Sequence, residues 1–219
     1  MTVLASAIIN RVRTQVIDLG LSGLQRWSDT ELLEWISDGQ RTIVANAPRA
    51  SAAVVLFQLT PGTRQVLPAN AYTYLRAYRN MGTNGTTPGA ALVPVDRTLM
   101  DTQYPQWHAA AQVAAPAVVV FDPSDQAAFY VSPPADGTGQ IELLYSVEPV
   151  DLTVTTAPIV LDDIYQTPLF DYTMYRACQK DSDYAPGQAA AKTYLDAFTG
   201  FLGGYMKDAM TSATQEGQT

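Results

Sequence analysis

Residues 28–67, SDTELLEWISDGQRTIVANAPRASAAVVLFQLTPGTRQVL, change their hydrophobic period midway. Ser28 and Glu31 form the pattern S-D-T-E, a capping box in which each end satisfies a free backbone donor of the other. Leu32, Ile36, Ile43 and Ala47 then recur on one helical face, and Pro48 ends the run, so a helix is predicted over 28–47. Beyond Pro48 the pattern shortens to that of strands. Segments 54–59 and 64–67 flank the turn Thr60-Pro61-Gly62 and predict two short strands.

Upstream, Leu4, Ile8, Val12, Val16 and Leu19 share helical spacing before Gly20, which predicts a helix over 2–19 and a hairpin with the next one. Downstream, 72–80 mixes both periods and is assigned to a strand. Residues 82–89, GTNGTTPG, form a flexible loop. A strand at 92–95 and a short helix at 96–103 follow, then strands at 117–121, 128–132 and 140–147, with a turn at 122–125 and a loop at 133–139. Helix returns over 167–182, with Thr167 as N-cap and Pro168 at the first position, where the missing N–H costs nothing; a looser turn precedes it at 161–166. A last helix spans 186–206 with Ala191, Tyr194, Leu195, Phe198, Phe201, Leu202 and Tyr205 as its apolar stripe, weakened by Gly203-Gly204. Polar residues 208–219 are expected to be a flexible tail that orders only against a partner.

The order helices, strands, helices predicts an α+β fold: a helical bundle from the N- and C-terminal helices with a central antiparallel β-sheet or β-rich insertion, the β-rich middle at 52–148. Residues 1–207 are expected to be one domain.

Charged residues make up 16% of the 219-residue chain, against 47% hydrophobic. A surface so poor in charge points to self-association or to an unusually large core. The net charge of −8 excludes a sequence-specific DNA reader, which needs a basic face, but not a wall past which DNA slides. The single cysteine, Cys178, excludes an intrachain disulfide and a thiolate cluster. The N-terminus lacks a secretory pattern, and no apolar run reaches the roughly 18 residues of a membrane helix. A soluble protein made in a cytoplasm is expected.

No catalytic, cofactor or metal site emerges. His108 is the only histidine; it follows Trp107 and is expected to pair with it rather than to serve a triad. GTNGTTPG lacks the lysine and the strand-to-helix switch of a phosphate loop. Asp162-Asp163, the best carboxylate pair, points apart on a helix and suits a helix start. Asp122-Pro123, Asp181 and Asp183 read as turn and loop chemistry. Twelve tyrosines fit interfaces as well as core, and an excess of arginine over lysine fits permanent contacts.

Eight segments in fixed order resemble the adaptor (head-to-tail connector) proteins of tailed bacteriophages: RWSDTELLEWISDGQR (26–41), LPANAY (67–72), RNMG (79–82), VDRTLMDTQYPQWH (95–108), FDPSD (121–125), FYVSPPA (129–135), IELLYSVEP (141–149) and LDDIYQTPLFDYTMYRACQKD (161–181). Pro168 departs from the helix-compatible alanine expected there. The resemblance implies a virion structural protein, not an enzyme: a ring, dodecameric to match the portal, docked beneath it, with the tail tube or nozzle on its other face and DNA passing unread through the bore. The helices would form the ring body and the β-rich part would reach neighbours or tail. Segments 83–89 and 203–219 would order on assembly, and Gly203, Gly204, Tyr205, Met206, Lys207 and Met210 are the candidate portal-binding residues. Two other readings stand beside this one: another neck or tail-completion protein, and a phage wall-degrading hydrolase built on carboxylates such as Glu142, Asp162 and Asp163.

Overall fold

A computed structural model of the chain describes residues 3–16, 25–180 and 185–216, with side chains at 187–204 of the last segment. In chain order the elements are α1 (Ala5–Gln15), α2 (Asp29–Asn46), β1 (Ala52–Gln58), β2 (Gly62–Val66), β3 (Ala71–Asn80), β4 (Val93–Asp96), α3 (Arg97–Gln103), β5 (Val118–Phe121), β6 (Ala128–Ala135), β7 (Gln140–Val147), α4 (Gln166–Lys180) and α5 (Ala185–Glu216). They fall into two compact units: 1–51 with 149–219, and 52–148. The fold is mixed α+β. Among the described residues no helix is long and apolar enough to cross a membrane.

The first unit holds α1, α2, α4 and α5, and α4 touches each of the other three. The capping box is present: Ser28 Oγ accepts from Glu31 N–H and Glu31 Oε2 from Ser28 N–H, each at 3.2 Å. α2 buries Leu32, Ile36 and Ile43 as its spacing requires. Two polar residues on that face, Ser37 and Gln40, accept from the backbone N–H groups of Leu152 (3.0 Å) and Val160 (2.8 Å), so the returning chain is pinned to α2 through buried hydrogen bonds. Gly39 admits α4 closely, since a Cβ there would lie 3.0 Å from the Tyr172 ring. On α1 the buried stripe is Ala5, Ile8, Ile9, Val12 and Arg13; Leu4 lies outside the helix as its N-cap, bridged to Pro158, and is exposed. Leu19 and Gly20 lie outside the described residues.

α4 begins earlier than predicted. A 3-10 turn at Asp163–Tyr165 leads directly into Gln166, so Thr167 is not the N-cap, and Pro168 sits third in the helix. Its absent N–H is still among the first-turn donors that no helical carbonyl would meet. α5 runs through Gly203-Gly204 to Glu216, past the boundary at 206 that polarity set. Residues 205–216 are mostly good helix formers without proline, and polarity alone is no stop signal.

The second unit corrects the single antiparallel sheet. It contains two sheets, ordered β1-β7-β3 and β2-β6-β5-β4, and β4 pairs with β5 in parallel. The long connection through α3 permits that crossover, which a hairpin cannot make. Between the sheets lie Phe129, Val131, Ile141, Leu143 and Tyr145, with Tyr74 stacked on Phe121 at 4.9 Å and Phe57 edge-on to Phe129 at 5.7 Å. β3 shifts register three times, at 71/73, 74/76 and 77/79, which brings Tyr74, Ala77 and Asn80 inward at a spacing of three. Those shifts are the source of the mixed period in 72–80. β6 continues three residues beyond the predicted 132. Its Pro134 carbonyl accepts from Val113 N–H at 2.9 Å and Ala135 pairs with Gly62, so the prolines find partners without donating.

Candidate functional site

Among the described residues, no group of three or more His, Cys, Asp or Glu is placed to hold a metal ion. The polar residues singled out in the sequence are occupied locally. His108 lies 3.7 Å ring to ring from Trp107, and its Nδ1 is 2.8 Å from Thr63 Oγ1. Asp122 accepts from Ser124 N–H at 2.9 Å and pairs with Arg97 at 3.0 Å, which together hold its carboxyl below the ordinary range. Glu142 pairs with Arg79 at 3.8 Å. Asp162 precedes the 3-10 turn without capping it through its side chain, and Asp163 opens that turn. Asp181 and Asp183 lie outside the described residues. In GTNGTTPG, Gly82 and Gly85 have positive φ and the Asn84 carboxamide oxygen accepts from Thr86 N–H at 3.0 Å, the geometry of a tight local turn.

Three parts of the surface stand out. The first is the outer face of β2-β6-β5-β4, where α3 and the turn Trp107–Ala109 pack Met100 and Trp107 onto Val120. Trp107 Nε1 donates to Asp101 at 2.9 Å, Arg97 lies 4.7 Å over the Tyr130 ring, and Arg64 pairs with Asp125 at 3.0 Å. Hydrogen bonding to the Tyr130 hydroxyl raises the Arg97 pKa further, and Asp125 followed by Tyr130 does the same for Arg64. Beside this network opens an apolar cavity of about 620 Å³, walled by Val95, Leu99, Tyr104, Pro105 and Val118. Leu99 is 45% and Tyr104 62% exposed.

The second surface is β1, whose side chains alternate exposed and half-buried along its whole length. Val54 and Leu56 are 56% and 52% exposed although both are large and apolar. AAVVLFQ is apolar in both phases of a strand, which does not by itself say which phase is exposed.

The third is the far part of α5. Gly203 and Gly204 are exposed, and among the described residues a Cβ at either would meet nothing within 4 Å. Tyr205, Met206, Lys207 and Met210 belong to the same helix, and their side chains lie outside those described.

No curated protein matches the chain. A family model does, that of the SU10 adaptor protein, over residues 1–218. This match spans nearly the whole chain, both compact units included, and agrees with a molecule whose polar residues are spent on structure: the chain belongs to the SU10 adaptor protein family.

Proposed function

We propose that this chain is the head-to-tail adaptor of a tailed bacteriophage. Copies close into a ring, a dodecamer matching the portal, between the portal vertex and the tail tube or nozzle, and DNA passes through the bore unread. The observation that carries this is the family match over residues 1–218. An adaptor family implies a virion component that oligomerises and contacts other virion proteins, and a structural rather than a catalytic role. The acidic chain, at −8, suits a channel that repels phosphate. A closed ring uses two different surfaces on each subunit, and the apolar cavity beside α3 is a candidate for one of them.

The helices form the ring body, and the β unit reaches neighbours or tail. The far part of α5, from Gly203 through Tyr205, Met206, Lys207 and Met210, enters the portal. Among the described residues nothing lies within 4 Å of a Cβ built at Gly203 or Gly204, which supports this.

The test is native mass of the purified chain, alone and with the portal protein of the same genome. A ring-sized complex in the mixture is expected. A chain that ignores the portal at low and at moderate salt overturns the reading in favour of a neck or tail-completion protein. Truncation after Lys207 should leave the fold intact and weaken portal docking; undiminished docking by the truncated chain would remove the assignment of α5.

A further inference from the structure

A two-sheet unit has four edges, and an unprotected edge is a template for another strand. Three of the four are blunted in this chain. β2 carries the charged Arg64 and a register shift between Gly62 and Arg64, both of which discourage pairing at its edge. Beside β3, the segment around residues 89–92 occupies the edge, with Leu92 N–H donating to Tyr78 O and Asn80 N–H to Ala90 O. Asn80 reinforces it by donating from its side chain to Ala90 O and Pro116 O. β4 carries Pro94, which has no N–H to offer.

β1 has none of these devices. It contains no charge and no proline, and its register with β7 runs without a shift over seven residues. The direction of its backbone groups follows from the ladder. Leu59 N–H donates to Gly139 O, and on the other side of β7 the Gln140 N–H donates to Gly82 O. Alternation along an antiparallel pair then turns the groups of Ala53, Val55 and Phe57 toward β7, and those of Ala52, Val54, Leu56 and Gln58 toward the open edge. Among the described residues, no backbone bond outside the ladders reaches those four. The core is open at the same place. Ala53, Val55 and Phe57 are only half-buried, whereas Ile141, Leu143 and Tyr145 on β7 are at most 4% exposed.

We infer that β1 is a strand-addition site: an extended segment of a different virion polypeptide pairs along 52–58 and makes β1-β7-β3 a four-stranded sheet. The inference rests on the adaptor reading for the particle in which that partner resides. The occupant is a run of about six or seven residues, uncharged at alternate positions, whose inward side chains complete the core beside Val55 and Phe57. A second copy of this chain fits poorly. Its other edges are blunted, and two β1 strands paired with each other share a two-fold axis, which does not propagate around a ring.

Amide hydrogen exchange resolved to single residues, on the free chain and on purified particles, tests this. In the free chain Val54, Leu56 and Gln58 should exchange fast and Val55 and Phe57 slowly. In particles the first set should slow by on the order of tenfold or more while the second changes little. Val54→Pro removes one outward donor and no bond to β7, so the free variant should keep its far-UV spectrum, and its particles should lack the protection at Leu56. Equal exchange of Val54 and Leu56 in particles and free chain overturns strand addition. So does a free chain of doubled mass with these amides already protected, which assigns the edge to self-pairing. Absence of the chain from particles overturns the adaptor reading instead.

Discussion

Replacing Gln65 by Met keeps the length and nearly the volume of the side chain and removes only its amide. Gln65 is fully buried, and its amide serves Thr60 N–H, Thr60 C=O and Gly62 C=O at 2.7, 2.8 and 3.1 Å; a fourth bond, accepted from the exposed Thr60 hydroxyl at 3.1 Å, is one that water replaces at little cost. Each lost bond is worth about 1 kcal/mol net. That is the appropriate end of the range because Thr60 is exposed and water can reach its backbone. Three such losses are offset by about 1 kcal/mol of gained apolar burial, leaving a destabilisation of about 2 kcal/mol. The assay must isolate the β unit, because two compact units need not unfold together. Trp27 and Trp35 belong to the helical unit and Trp107 to the β unit, where it is 4% exposed against Tyr130. Urea unfolding followed by Trp107 fluorescence, in a background with Trp27→Phe and Trp35→Phe, should shift to lower denaturant for Gln65→Met. A change under about 0.5 kcal/mol, within the scatter of ordinary surface substitutions, would refute the role given to the amide.

Tyr74 is stacked between the sheets, its hydroxyl accepting from Ala77 N–H at 2.8 Å, and burial pushes its pKa up to about 12. Since the folded value is the higher one, the stabilisation is complete below the ordinary tyrosine value near 10 and is lost as pH rises through about 12. Absorbance titration at 295 nm should show a late-ionising component that is reduced in Tyr74→Phe. At the other end of the pH scale, Lys180 and then Ser28 hold the Glu31 carboxyl below its ordinary value, so its contribution is present at neutral pH and disappears as acid protonates it in the folded chain. Ser28→Ala should cost about 1 kcal/mol, read by thermal unfolding through Trp35 with Trp27→Phe and Trp107→Phe, and should leave most of that acid dependence in place, because Lys180 and the backbone N–H of residue 28 still hold the carboxylate.

Local features of the sequence were legible and long-range ones were not. The α2 start follows from Ser28 and Glu31 because a capping box is complete within four residues. The strands β1, β2, β5 and β7 follow from short apolar runs between turn residues, each boundary falling within two positions. The division into two sheets depends on which strands pair, and β1 finds β7 across the length of the unit; nothing within either strand names its partner. The N-terminus of α4 was misplaced because Thr167-Pro168 is a good local start, overridden by the turn at Asp163–Tyr165. Of the candidate surfaces, the segment from Gly203 onward was proposed from its polarity and terminal position together with the family resemblance. The open edge of β1 was not, since exposure of Val54 and Leu56 is a property of the strand order and not of the strand.

The chain leaves the helical unit after Ser51 and returns to it at Pro149, so the β unit is continuous and the helical unit is interrupted. During synthesis these two have different histories. Everything the β sandwich needs has been made once residue 148 is clear of the ribosome, and it can condense while the second half of the helical unit has yet to be translated. α1 and α2 must wait for α4, whose contacts with both complete their burial. The nascent chain thus carries a finished sandwich and a pair of helices with an uncovered apolar face. That interval, before α4 arrives, is when the protein is most exposed to chaperones and to aggregation, and synonymous changes that slow translation between 149 and 180 should lengthen it.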